Sequence, residues 1–310
     1  FNATPEDVER TIRNARKVTT LPISIDTLEA ALLTRAIETG VDLVLSLNNG
    51  NLDEIGPLAA RAQVPVVIIP DNSEGLDSLV QNIKKAKEIG IRKIIADPVL
   101  DPIGHGIASS IVRYYEFHKL FPEIPVFFGA GNVTELLDVD SHGVNATLCG
   151  IAAELGASIL FTPEYSNKAQ GSIRELKLAS QMMILATERQ SSPKDLGIDL
   201  LELKEKRRRA DAVMPSGFRK AKERRMWKID PAGSVRIGIM PDEERTSKGL
   251  IVAEHETSAI VGTNAKAVLD TLIDMQLVST LEHAGYLGRE LKKAEIALKL
   301  NRSYAQDDEF

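Results

Sequence analysis

Residues 94–106 read IIADPVLDPIGHG. An apolar run ends abruptly at Asp97-Pro98, and Gly104 and Gly106 follow within a few residues. Proline lacks the N–H that would continue a strand's ladder, and glycine lets a loop approach a ligand closely. The stretch therefore reads as a buried strand that delivers a carboxylate at its end and then opens into a loop.

The same unit recurs on both sides. Short apolar runs appear at 21–26 (LPISID), 41–47 (VDLVLSL), 64–70 (VPVVIIP), 92–98 (RKIIADP), 124–130 (IPVFFGA) and 157–163 (ASILFTP). They are near-continuous rather than alternating, as expected of parallel strands covered on both faces. Between them lie amphipathic stretches such as LDSLVQNIKKAKEIG at 76–90, with Gly40, Gly90 and Gly156 where helices should stop. Alternating strands and helices predict a parallel α/β fold. The runs end at or near hydrogen-bonding side chains: Asp26, Asn48, Asp71 and Asn72, Asp97, Asn132 and Glu164. In a (β/α)8 barrel all strand ends meet at one face, whereas in a doubly wound sheet only the switch-point strands contribute. The polar ends favour the barrel. Six strands are found where eight are needed, and the opening helix, with Thr4 as cap, Pro5 and Asp7, should follow a strand. The expectation is that two strands preceded Phe1.

Composition sets the outer bounds. The chain has 310 residues and a formal net charge of −6, which argues against wholesale binding to nucleic acid or anionic lipid. Cys149 is the single cysteine, so an intrachain disulfide is excluded and a reducing, cytoplasmic location is expected. No apolar run approaches the roughly 20 residues needed to span a bilayer. The histidines show no metal spacing. The expected organisation is an N-terminally incomplete barrel over 1–202, a basic linker over 203–228 and a small α+β domain over 229–310. In that last domain, 226–242 and 248–255 read as strands, and 264–278 and 281–300 as helices.

A carboxylate at a barrel mouth is costly unless paired, and a cationic or N–H-rich ligand could supply the pairing; a pterin ring, with a 2-amino group and a ring N–H side by side, is one such ligand. Asp26 and Asn132 would meet the rest of the ring edge. Here the residues carry a resemblance. LPISIDT (21–27) resembles the third-strand motif of dihydropteroate synthases, and ADPVLDPIGHG (96–106) is similar to the motif holding their principal pterin anchor. FFGAGNVTELL (127–137) is closer to the pterin-dependent methyltransferases that share the fold, where the Asn lies near the reactive ring nitrogen. Residues 281–310 resemble the small domain fused to archaeal dihydropteroate synthase-related proteins, which are associated with methanopterin biosynthesis.

The resemblance implies pterin binding by Asp26, Asn48, Asp97 and Asn132, with Asp26 and Asp97 as the catalytic pair. It implies an enzyme joining 6-hydroxymethyl-dihydropterin pyrophosphate to an arylamine in folate or methanopterin biosynthesis, with magnesium assisting the leaving group. The alternatives are methyl transfer from a methyl-tetrahydropterin to a corrinoid protein, or a non-catalytic pterin-binding subunit. The partners expected are the pterin, the arylamine and a second copy of the chain, with a corrinoid protein only under the methyl-transfer alternative. Departures are specific: Gly131, Asn132 and Val133 stand where the synthases carry Ser-Arg-Lys, and Phe161, Thr162 and Pro163 where they carry Arg-x-His. Leu45 or Ser46 takes the place of their fourth-strand Asn, with Asn48 slightly beyond. His105, Arg207, Arg208 and Arg209 are the candidates to replace the lost cations at the phosphate end. The plainer alternatives are that Asp26 caps the next helix, that Asp97 is a turn residue, that Asn132 is an N-cap and that His105 is an ordinary loop histidine.

Overall fold

The computed structural model describes residues 3–71, 75–201, 216–217, 219–222, 228–240 and 249–309. The chain divides into two compact units, Phe1–Ala210 and Asp211–Phe310. Most of the expected basic linker, 203–228, lies outside the described residues.

The first unit opens with helix α1 (Pro5–Val18), whose start is the capping box read from the sequence: Thr4 Oγ1 accepts from Asp7 N–H and the Asp7 carboxylate accepts from Thr4 N–H. Strand and helix then alternate: β1 (Ser24–Asp26), α2 (Ala30–Thr39), β2 (Leu43–Leu47), α3 (Leu52–Ala62), β3 (Val66–Ile68), α4 (Leu76–Ile89), β4 (Ile94–Ala96), α5 (Ile107–Leu120) and β5 (Val126–Gly129). After β5 come a single helical turn, α6 (Gly131–Thr134), then α7 (Ser141–Glu154), β6 (Ala157–Phe161) and α8 (Ser172–Glu188). Gly40 and Gly90 close α2 and α4 as expected. Each strand falls inside its expected run and is shorter than it.

All six strands are parallel and lie in chain order, β1-β2-β3-β4-β5-β6. Right-handed crossovers that never reverse direction place every helix on the same side. The sheet is thus a curled half-barrel rather than a doubly wound sheet. Its two faces carry separate cores. The convex face packs Val44, Val66, Ile68, Ile94, Ala96, Val126 and Phe128 against the helices. The concave face carries Leu45, Val67 and Phe127, flanked by Leu43, Ile69, Ile95, Ile159 and Phe161. Alternation along each strand produces this division, because successive side chains point to opposite faces.

The second unit is a three-stranded antiparallel sheet, β7 (Val235–Met240), β8 (Leu250–His255) and β9 (Ser258–Gly262), with α9 (Ala265–Asp274) and α10 (Leu281–Lys299). Its own core gathers Val235, Ile237, Ile251, Ala253, Val268, Leu272, Leu287 and Leu291. Strand β9 was not anticipated; it pairs antiparallel with β8 across the two-residue turn Glu256-Thr257. Asn264 caps α9 as expected, accepting from Ala267 N–H at 2.9 Å. Buried Asp230 ties the start of this unit to α10. Burial pushes its pKa up, but hydrogen bonds from Ser279, Ala232 and Thr280 outweigh that and hold it low; His283 Nδ1 lies 3.0 Å away.

Candidate functional site

The site is built at the carboxyl ends of the strands. Asp26 ends β1 and shares the face of Ser24, since Ile25 between them packs into the convex core. Asp97 follows β4 and continues the row of Ile95, a concave-face residue. Both carboxylates therefore stand at the same rim of the concave face, and the charge of Asp26 is one of the influences raising the pKa of Asp97.

Asp97 is 9% exposed. Its Oδ1 accepts two hydrogen bonds, from the Tyr114 hydroxyl at 2.6 Å and from Val99 N–H at 2.8 Å. Oδ2 accepts none among the described residues and keeps contact with solvent. Burial pushes the carboxyl up to about 6, against the Tyr114 and Val99 hydrogen bonds and the nearby Arg113 charge, which pull it down. Asp26 is open to solvent by area, yet protein crowds it enough that loss of solvation raises its pKa too.

The loop after Asp97 is stitched from behind. Arg113 on α5, 7% exposed, donates through Nε to Pro98 C=O at 2.6 Å. Its Nη2 donates to Val99 C=O at 2.5 Å and to Asp101 Oδ2 at 3.0 Å. Val99 sits at φ +65°, a left-handed conformation that a β-branched residue rarely adopts and that costs of order 1–3 kcal/mol. Arg113 on its carbonyl and Asp97 on its N–H hold it there.

Asn132, in α6, is exposed and donates through Nδ2 to Leu100 C=O at 3.0 Å. It links the loop after β5 to the loop after β4, and its own side-chain oxygen remains as an acceptor. The helical turn carrying it lies hard against the end of β6: a Cβ on Gly131 would meet Pro163 Cδ at 2.2 Å. Only glycine fits at position 131, immediately before the asparagine.

The remaining expected residues behave differently. Asn48 is half-buried, and its Oδ1 is taken by Gly50 N–H at 2.9 Å in the turn that begins α3. It offers the mouth a donor, Nδ2, rather than an acceptor. His105 is exposed, with Nδ1 3.4 Å from Ile103 C=O. Arg207, Arg208 and Arg209 lie outside the described residues. Glu164 closes the start of α8, accepting from Gly171 and Ile173 N–H. Asp26 caps no helix: the N-cap of α2 is Glu29, without a side-chain bond. Asn132 is not an N-cap either, because Ala130 holds that position. Asp97 does accept the Val99 N–H as a turn residue would, while keeping its second oxygen open. Among the described residues no group of three or more His, Cys, Asp and Glu side chains is placed to hold a metal ion, and no helix is long and apolar enough to cross a membrane.

Sequence reasoning missed Tyr114 and Arg113. Both stand in a helix whose spacing reads as ordinary amphipathic packing, and only the fold brings them behind Asp97.

The fold and the site define a sequentially wound parallel half-barrel with two carboxylates at its mouth. Residues 2–119 match the family model described as CO dehydrogenase/acetyl-CoA synthase delta subunit, and residues 229–307 match that described as PterinBD-DUF4346. The chain is 42% identical to a protein of Methanocaldococcus jannaschii described as uncharacterized, over 97% of this chain and 60% of that one. It is 29% identical to the acetyl-CoA decarbonylase/synthase complex subunit gamma 2 of Methanosarcina thermophila, over 37% of this chain and 25% of that protein. The chain thus spans only part of the length of these relatives. Among solved structures it is similar to the Yersinia pestis dihydropteroate synthase in complex with a sulfonamide drug. The identity is 20%, the TM-score 0.46, and the match covers 60% of this chain and 73% of that chain.

Proposed function

We propose that the first unit binds a reduced pterin at the mouth of the half-barrel and that group transfer occurs at the ring edge facing Asn132. The observation that carries this reading is the pairing of Asp26 and Asp97 at one rim, with Asp97 Oδ2 accepting no hydrogen bond among the described residues. Two carboxylates whose pKa values are raised by lost solvation call for a ligand rich in N–H donors. The 2-amino group and ring N–H groups of a pterin supply them, and the Asn132 oxygen accepts a further one.

For the transferred group we infer two candidate chemistries, one of them methyl transfer from a methyl-tetrahydropterin to a corrinoid protein. Gly131–Val133 and Phe161–Pro163 bring no cation to the places where a pyrophosphate leaving group would need one. Residues 2–119 also match a subunit family of acetyl-CoA synthase complexes. Condensation of a dihydropterin pyrophosphate with an arylamine is the second reading, favoured by the run Arg207-Arg208-Arg209 as substitute cations. Under this second reading magnesium would be held chiefly by the pyrophosphate itself, with one or two carboxylates at most.

Binding is tested by titration calorimetry with 6-hydroxymethyl-7,8-dihydropterin at pH 8. Asp97→Asn should weaken it by about 1.5–3 kcal/mol, the range for a hydrogen bond to a charged group. Unchanged affinity would remove Asp97 from the site. With the longest natural chain, loss of methyl from a methylated pterin only when a corrinoid protein is added supports the first chemistry. Pyrophosphate release on adding an arylamine supports the second.

A further inference from the structure

Asp97 does not meet the mouth with both its oxygens. We propose that Tyr114 is a positioning residue that holds Asp97 by Oδ1, so that Oδ2 alone receives the ligand, and that ligand binding therefore expels a proton from Asp97. The proposal rests on the pterin reading of this site and extends it to a residue and a proton that the reading does not require.

The geometry is one-sided. Tyr114 is fully buried, its ring packed 5.1 Å from that of Phe128, so its hydroxyl is delivered by a rigid support. That hydroxyl has one proton and two acceptors within reach, Asp97 Oδ1 at 2.6 Å and Phe127 C=O at 3.1 Å. The shorter contact, to the group that can carry charge, is the stronger one. Val99 N–H fills the other side of Oδ1, and Arg113 locks the Val99 carbonyl so that this donor cannot drift. Two protein donors on Oδ1 leave a ligand N–H only Oδ2. A protonated Oδ2 would present a hydrogen to that N–H, so the donor edge of a pterin binds the ionised carboxylate.

The charged and titratable groups facing Asp97 are Tyr114 and Arg113 from α5 and Asp26 from β1, with Asp101 paired to Arg113. Tyr114 and Arg113 favour the ionised form, while burial and Asp26 oppose it. Removing the hydroxyl should therefore make Asp97 harder to ionise, a change that a purely structural tyrosine would not produce.

Three measurements test this. In the wild-type chain, affinity for 6-hydroxymethyl-7,8-dihydropterin should rise about tenfold between pH 5 and pH 7, as Asp97 ionises. Calorimetry at pH 5.5 in two buffers of different ionisation enthalpy should show proton release on binding; no release overturns the proposal, whether or not any variant folds. In Tyr114→Phe the rise in affinity should move to higher pH by about one unit, with most of the loss recovered by pH 9. An unmoved profile overturns it. The third measurement needs no ligand: the carboxyl carbon resonance of Asp97, assigned with Asp97→Asn, should titrate at higher pH in Tyr114→Phe than in wild type. An unchanged midpoint overturns the proposal even if pterin binds. If wild type binds no pterin at any pH, the pterin reading fails, and the ligand-free titration still decides whether Tyr114 governs Asp97.

Discussion

Asp97 shows how one residue trades stability for a site. Its folded pKa, about 6, lies above the ordinary carboxylate value of 3.8, so the native state holds this proton more tightly than the unfolded chain does. Its contribution is therefore fully present below about pH 4 and is lost as pH rises through about 6. The gap corresponds to about 3 kcal/mol. Other carboxylates act in the opposite sense: hydrogen bonds from Lys292, Lys299 and Ala265 N–H hold Glu295 down at about 2. The difference between wild type and Asp97→Asn isolates the effect. In urea unfolding without ligand, the variant should be relatively more stable at pH 8 than at pH 4.5, with the crossover between about pH 4 and 6. A flat difference would mean that Asp97 is solvated in the native state. At this scale Asp26, Asp97 and Asn132 were legible as strand-end polar residues, since a carboxylate after an apolar run has few reasons to be there. Tyr114 and Arg113 were not legible, because a helix residue that reaches across to a neighbouring strand end leaves no local signature.

At the scale of elements, the turn α6 decides where Asn132 stands. It is held between the end of β5 and Pro163, with no room at Gly131 for a methyl group. Gly131→Ala should cost about 1–3 kcal/mol as an overpacked contact. It should also displace Asn132 from Leu100 C=O, weakening pterin affinity at all pH values alike. Calorimetry and thermal unfolding check both parts; a variant as stable as wild type with unchanged affinity would show that α6 can shift freely. The strand and helix series itself was read with little loss, because buried parallel strands are continuous apolar runs and the helices carry one apolar face. Strand ends and β9 were read less well. A strand's bounds depend on where its neighbour stops pairing, and no single run contains that information.

For the whole molecule, the two units have separate cores, and the second coincides with a recurring family module. Residues 229–310, expressed alone, should fold with a single cooperative thermal transition. Leu287→Ala, at a fully buried position of that core, should lower its stability by about 2–5 kcal/mol. A non-cooperative melt of the isolated segment would show that its core is not self-sufficient. By itself the sequence determined the class of the chain: six parallel strands of a (β/α)8-type barrel with carboxylates at its strand ends, followed by a small α+β unit. Local periodicity and strand-end chemistry are properties of contiguous residues, so they survive in one dimension. Only the tertiary structure decided how the site works. It put Tyr114 and Arg113 behind Asp97, gave two donors to Oδ1 and left Oδ2 without a hydrogen bond among the described residues. It also assigned Asn48 to a turn and Glu164 to a helix start. Those outcomes depend on distances between side chains that are far apart in the chain and adjacent only once the sheet has curled.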